Sequence, residues 1–225
     1  MANPYSSREE TTNQRQIRAL YDEETITVYQ AYSSEIASAA VLQQKLNASP
    51  QFRPTRMTWI KPSWCWMMYR SGYSYKDKNQ ARILALKMKH EHFLELLKAA
   101  SLTTEPAGSK EVTQDSHDAA TSVADNKEKP SVAVVRVQWD PERSPRLEKL
   151  SYRSIQIGIS SALAATWADG WIVDIEDVTD KARALEREIR ENPEITDDEL
   201  LRQGLVPLER EYLVPAEVQQ ALKMD

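Results

Sequence analysis

Four stretches of this chain place polar groups among residues that ought to be buried, and they are where chemistry would be sought. The first is Val28-Tyr29-Gln30-Ala31-Tyr32, in which alternation along a strand sends either Tyr29 and Ala31 or Gln30 and Tyr32 to the open face. The second runs from Trp59 to Tyr73, WIKPSWCWMMYRSGY. Its Trp and Tyr rings offer stacking faces for a base or a nicotinamide, and Lys61 and Arg70 offer charge for phosphates, the arginine bidentately. The third, Gln138-Trp139-Asp140-Pro141-Glu142-Arg143, ends a strand on a carboxylate; an Asp that starts a turn by bonding its own backbone explains it equally well. The fourth is Tyr152-Arg153-Ser154-Ile155-Gln156-Ile157-Gly158, where Gln156 stands between two isoleucines and needs a partner. Arg153 and Gln156 point to opposite faces of that strand. Against these readings, the Trp and Met residues of the second stretch also read as core, and Tyr29 as a buried, hydrogen-bonded phenol.

Other chemistries find less support. His90 and His92 are two residues apart and cannot face one way on a helix, and with His117 they form no metal pattern. A lone cysteine, Cys65, rules out an internal disulfide and a cysteine-based zinc site, and between two tryptophans it reads as a buried thiol. Neither GxGxxG nor GxxxxGK[ST] occurs, and five glycines leave little material for a phosphate-cradling loop. The net charge of −5 argues against a general nucleic-acid coat protein. Residues 52–98 are nevertheless rich in Lys and Arg, with only Asp77, Glu91 and Glu95 opposing them, so an anion would meet a locally positive face. No apolar run approaches the roughly 18 residues of a membrane span, and the N-terminal residues lack the order of a secretory signal, so a cytoplasmic or nuclear protein is expected.

The elements that must position these groups alternate irregularly. Residues 1–14 read as a flexible tail and Arg15–Leu20 as a turn or short helix. A strand is predicted over Thr25–Tyr32, a helix over Glu35–Leu46, a strand over Arg56–Ile60 and an aromatic helix over Trp64–Tyr69, capped by Ser63. A strand over Ile83–Met88 and a helix over His90–Ala100 follow. Residues 102–131, poor in apolar groups, read as a disordered insertion. Beyond it come strands Val132–Trp139, broken by Asp140-Pro141, and Arg153–Ile159, a helix Ser160–Ala168, a strand Trp171–Ile175, a helix Val178–Glu191 and a short last helix after Val214-Pro215. The expected fold is α+β: one domain over 15–101 and 132–225, with a mixed or split, mostly antiparallel sheet flanked by helices.

The words IRALYDEETITVYQAY, RMTWIKPSWCWMMYRSGY, VQWDPER, RSIQIGI and WIVDIEDVT, with LVPLEREYLVP near the end, resemble the family known as domain of unknown function 4291. At the level of fold, a first strand bearing Tyr29 and Gln30 and followed at once by a helix looks like the opening of ADP-ribosyltransferase domains. That likeness implies NAD as substrate and a nucleic-acid base or nucleotide as acceptor, the rival being a non-catalytic pocket for a nucleotide or RNA. By the same likeness Tyr29 and Tyr73 orient the nicotinamide ribose, Lys61 and Arg70 hold the pyrophosphate, and Gln156 or Glu176 steadies the ribose. Gln30, Ser71 and Arg153 complete the cofactor-binding set, with Tyr29, Gln156 and Glu176 as the catalytic one. The late strand carries Gln156 where that group typically uses a glutamate, and Glu176 or Asp177 is the substitute within the chain. No metal and no membrane is implied.

Overall fold

A computed structural model describes residues 14–103 and 134–224; the tail and most of the predicted insertion lie outside them. Helices and strands interleave as an α+β fold. Its β-structure is split into two sheets that meet at one point, with a small third pair beside them. The first sheet is antiparallel and three-stranded: β2 (Thr25–Tyr32), β4 (Arg82–Lys89) and β8 (Ile172–Asp177), in the order β2-β4-β8. The second has the order β3-β7-β6-β5, from β3 (Thr58–Ile60), β7 (Lys149–Ile159), β6 (Val135–Arg143) and β5 (Ala100–Leu102), with only β5 and β6 parallel. They join where the Tyr29 N–H donates to the Lys61 carbonyl at 2.7 Å and the Lys61 N–H donates back at 3.1 Å.

Alternation decides which face of the second sheet is core. On β6, Val135, Val137 and Trp139 are buried, while Arg136, Gln138 and Asp140 stand on the opposite face. On β7, Ile155, Ile157 and Ile159 join the core, so Ser154, Gln156 and Gly158 share the outer face with the β6 set. The large core fills the space between this sheet, β2, β4 and helix α3 (His90–Lys98). A second cluster gathers Tyr29, Trp64, Cys65, Met67, Met68 and Tyr73 around helix α2 (Trp64–Ser71), against helix α5 (Thr179–Glu191). Cys65 is fully buried there.

Several boundaries differ from the sequence reading, each for a tertiary reason. Arg15–Leu20 holds no helix: β1 (Arg18–Ala19) pairs with β9 (Arg210–Glu211), a contact no local pattern encodes. β6 does not stop at Asp140-Pro141 but continues to Arg143 through a register shift. Proline is tolerated because β5 pairs only with Val135–Val137, leaving one side of the ladder open at Pro141. Ala100–Leu102 is strand rather than helix end, and the helix α4 (Ser161–Thr166) gives way to a π turn, Trp167–Trp171. Helix α1 (Ser34–Gln43) stops three residues short of Leu46, at Gln44 in the left-handed conformation. The remaining helices, α6 (Asp197–Arg202) and α7 (Ala216–Leu222), lie near the C-terminus.

Candidate functional site

The outer face of the four-stranded sheet is the floor of a cleft of about 1050 Å³. Register orders the floor in rows. Trp59 lies opposite Gly158, and Gly158 opposite Arg136; one step on, Gln156 pairs with Gln138, and extending the β3–β7 register by a residue brings Lys61 level with them. Gly158 serves the first row by lacking a side chain: a Cβ there would stand 3.0 Å from the Met57 sulfur and from two carbons of the Trp59 indole. Gln156 Nε2 donates to Gln138 Oε1 at 2.9 Å and to Asp140 Oδ2 at 2.7 Å, fixing a carboxylate at the end of the floor. The walls come from Tyr32–Ile36 at the start of α1, the 50–58 loop, Arg70 of α2 and residues 77–81.

Two features set this cleft apart from a surface irregularity. Its lining carries Arg53, Arg56, Lys61, Arg70, Lys78 and Arg136 against only Glu35 and Asp77. Among the described residues, no ion pair joins any of these six cations to a carboxylate. Asp77 is meanwhile engaged in its own turn, accepting from the Asn79 N–H and Gln80 Nε2 at 2.7 Å each. The second feature is Gln30, which is 6% exposed and lines the cleft. Its Nε2 donates to Thr58 Oγ1, and its Oε1 has no partner. A buried amide oxygen left without a donor costs about 1–3 kcal/mol, so this amide is held at the cleft at a cost to stability.

Lys61 is the most perturbed group of the cleft. It is 2% exposed, and Nζ donates to the carbonyl of Trp59 at 3.0 Å. Burial, then the neighbouring Arg70, pull its amine down to about 7, with Asp140 acting in the opposite sense. Arg70 reaches the cleft because α2 is firmly placed. Ser63 Oγ accepts from the Trp66 N–H at 3.1 Å, and Gly72 ends the helix at φ 53°.

Of the residues singled out from sequence, the structure brings Gln30, Lys61, Arg70 and Gln156 to this cleft. It places the others elsewhere. Tyr29 faces the second core, edge-on to Trp64 with centroids 5.2 Å apart, and burial pushes its phenol well above the usual range. Ser71 turns back to donate to the Met67 carbonyl at 2.9 Å, and Tyr73 donates to the Pro145 carbonyl at 2.6 Å. Arg153 is exposed and donates to the Trp139 carbonyl at 2.8 Å. Glu176 is exposed on β8, opposite Ala85 in the other sheet, and Asp177 is paired with Arg82. The 70–73 corner therefore contributes its arginine alone.

Sequence reasoning missed Arg136, which alternation within VAVVRVQW could have picked out; Gln138 belongs to the third stretch, and Arg53, Arg56 and Lys78 belong to the basic 52–98 region, which the sequence alone did not assign to one site. It also missed a buried acidic pair outside the cleft. Glu142 Oε1 accepts from Ser63 Oγ at 2.9 Å and from the Arg143 N–H at 2.8 Å, while Glu209 Oε1 accepts from the Trp64 N–H at 2.6 Å. Burial raises both carboxyls, Glu209 well above its usual range with Glu142 adding to it. Sixty-odd residues of chain separate the two, so no motif announces them. They hold the first turn of α2, the helix that carries Arg70 at its other end.

Among the described residues, no cluster of His, Cys, Asp and Glu could hold a metal ion, and no helix is long and apolar enough to cross a membrane. No curated protein matches this sequence. The family model described as domain of unknown function (DUF4291) matches residues 16–212, which include every residue of the cleft, and the chain belongs to that family.

Proposed function

We propose that the cleft binds a nucleotide of the NAD type and that the protein is an ADP-ribosyltransferase-like enzyme. The observation that carries this reading is the set of five cations, Arg53, Arg56, Arg70, Lys78 and Arg136, around one cleft with no ion-pair partner among the described residues, the Lys61 amine lying beside them. Charges left unpaired around a concave site favour a polyanion, and a pyrophosphate is one that arginine binds bidentately. Arg70 on the wall and Arg136 on the floor suit that role, and the Gln30 amide beside them would suit a carboxamide such as that of nicotinamide once a ligand opens the way to its Oε1. Cleaving the bond between nicotinamide and ribose builds positive charge at the sugar. A carboxylate held in place beforehand stabilises such charge without reorganising. Asp140, oriented by Gln156, supplies it where the sequence analogy looked for a glutamate.

Calorimetry with NAD and ADP-ribose is the test. Binding is expected and is expected to weaken in Arg70→Ala and Arg136→Ala; absence of heat at millimolar ligand overturns the reading. The exposed rim cations Arg53, Arg56 and Lys78 favour a nucleic acid as acceptor. Single-stranded RNA affinity should then fall steeply with salt, and a flat response removes that acceptor class.

A further inference from the structure

We propose that Lys61 is a reacting amine: the cleft takes an anion bearing an aldehyde or ketone carbon, such as an open-chain sugar phosphate, and Lys61 Nζ captures that carbon as an imine. This rests on the anion-binding part of the reading above and adds a covalent step to it. A lysine that merely holds phosphate reaches out from a rim as a solvated charge, as Lys78 does. Lys61 is placed otherwise. Its backbone is locked to Tyr29 at the junction of the two sheets, its stem is buried, and its Nζ rests on the carbonyl of Trp59 at the cleft floor.

The charged groups acting on the amine are Arg70 from α2, which disfavours an ammonium, and Asp140 from β6, which favours one. With burial, the balance leaves a large share of the amine uncharged at neutral pH, and only the uncharged form has a lone pair to give. Arg70 therefore has two consequences: it attracts an anion and keeps its neighbour nucleophilic. The step balances without an outside oxidant or reductant. The Nζ lone pair forms the C–N bond as the carbonyl π pair moves to oxygen, which takes up a proton. Nitrogen then gives up its protons while the oxygen leaves as water, so that amine plus aldehyde become imine plus water. Asp140, held by Gln156 one row further along the floor and close enough to act on the amine, is the carboxylate that would pass the proton between them.

The full chain is treated with pyridoxal 5′-phosphate, an anionic aldehyde, over a range of pH. Borohydride then reduces any imine, and peptide mass spectrometry locates the adduct. The expected result is one dominant adduct, on Lys61, formed near neutral pH about tenfold or more faster than on the exposed Lys76 and Lys78. Arg70→Met should move the midpoint of labelling up by about one pH unit, the size of one neighbouring charge in a half-wet site. Lys61→Arg and Lys61→Met should both lose the adduct while circular dichroism stays unchanged, so that a variant failing to fold is recognised and the other used. Labelling spread evenly over exposed lysines overturns the proposal, as does pyridoxal without phosphate labelling Lys61 equally fast. Nucleotide binding without Lys61 labelling sinks this inference alone. Labelling without nucleotide binding sinks the NAD reading alone.

Discussion

Replacing Lys61 by methionine should stabilise the protein, and should do so more at pH 7 than at pH 9. Methionine has nearly the same length and shape but no charge, so the burial of the stem is kept. In the unfolded chain the amine titrates near 10.5, whereas in the fold it is pulled down to about 7. Between those values the unfolded state binds the extra proton, so stability rises with pH across the window. Each pH unit of difference is worth about 1.36 kcal/mol. The buried amine thus costs about 4 kcal/mol at pH 7, about 2 at pH 9 and almost nothing above 10.5. The substitution also leaves the Trp59 carbonyl without the Nζ donor, a loss of about 1 kcal/mol. The variant should therefore gain about 3 kcal/mol at pH 7 and about 1 at pH 9, read by urea unfolding at both. A variant that is less stable than the natural protein, or a difference that does not change with pH, would refute the claim that the amine is withdrawn from water and gives up its proton far more easily than in the unfolded chain.

Three further outcomes follow from the geometry. Glu209→Gln keeps an acceptor for the Trp64 N–H but removes a buried carboxyl whose raised pKa makes the folded state hold its proton above 4.5; the natural protein should lose stability relative to the variant as pH climbs from 5 to 8, measured by the same unfolding experiment. Gly158→Ala sets a methyl against the Trp59 ring and Met57 and should cost about 1–3 kcal/mol while weakening any ligand lying over that floor; unchanged melting and unchanged affinity would mean the indole has room to move. Arg70→Ala should leave stability within about 1 kcal/mol, since no ion pair is broken, and should reduce nucleotide affinity at least tenfold by calorimetry.

Much of the fold was legible because the strands and helices around the site are locally consistent. Thr25–Tyr32 is strand to the residue, and Ser63 caps the aromatic helix as its sequence predicts. Gln30, Lys61, Arg70 and Gln156 could be picked out because each is a polar group set in an apolar word, and such groups must either find partners or meet a ligand. The same rule misled at Ser71 and Tyr73, whose partners are carbonyls: one four residues back along the helix, the other across the chain at Pro145. Whether a polar group turns inward or outward after a helix end depends on the backbone there, and Tyr73 adopts φ 53°, which its neighbours in sequence do not dictate. The β1–β9 pair and the Glu142–Glu209 arrangement join segments far apart in the chain, where local propensity carries no information.

The junction between the sheets explains why the most perturbed amine lies where it does. A sheet that continued unbroken from β2 into β3 would carry both strands on one surface, and a lysine there could run out to solvent. Here the ladder is reduced to a single bridge, Tyr29 with Lys61, and the two neighbours are sent to different places. Tyr29 closes the second core against Trp64, while its successor Gln30 and its partner Lys61 are delivered to the cleft. Pro62 and the Ser63 cap then turn the chain at once into α2, so the lysine has no strand beyond it along which to escape. Two buried carboxyls secure the start of that helix, and its far end returns Arg70 toward the same cleft. The amine and the groups that the two buried carboxyls hold, Ser63 and the Trp64 N–H, all lie within a few residues of one turn of chain, so the stability lost by that burial is concentrated around it. Ionisable groups whose pKa values burial perturbs, gathered beside one cleft, mark where a functional site is sought first.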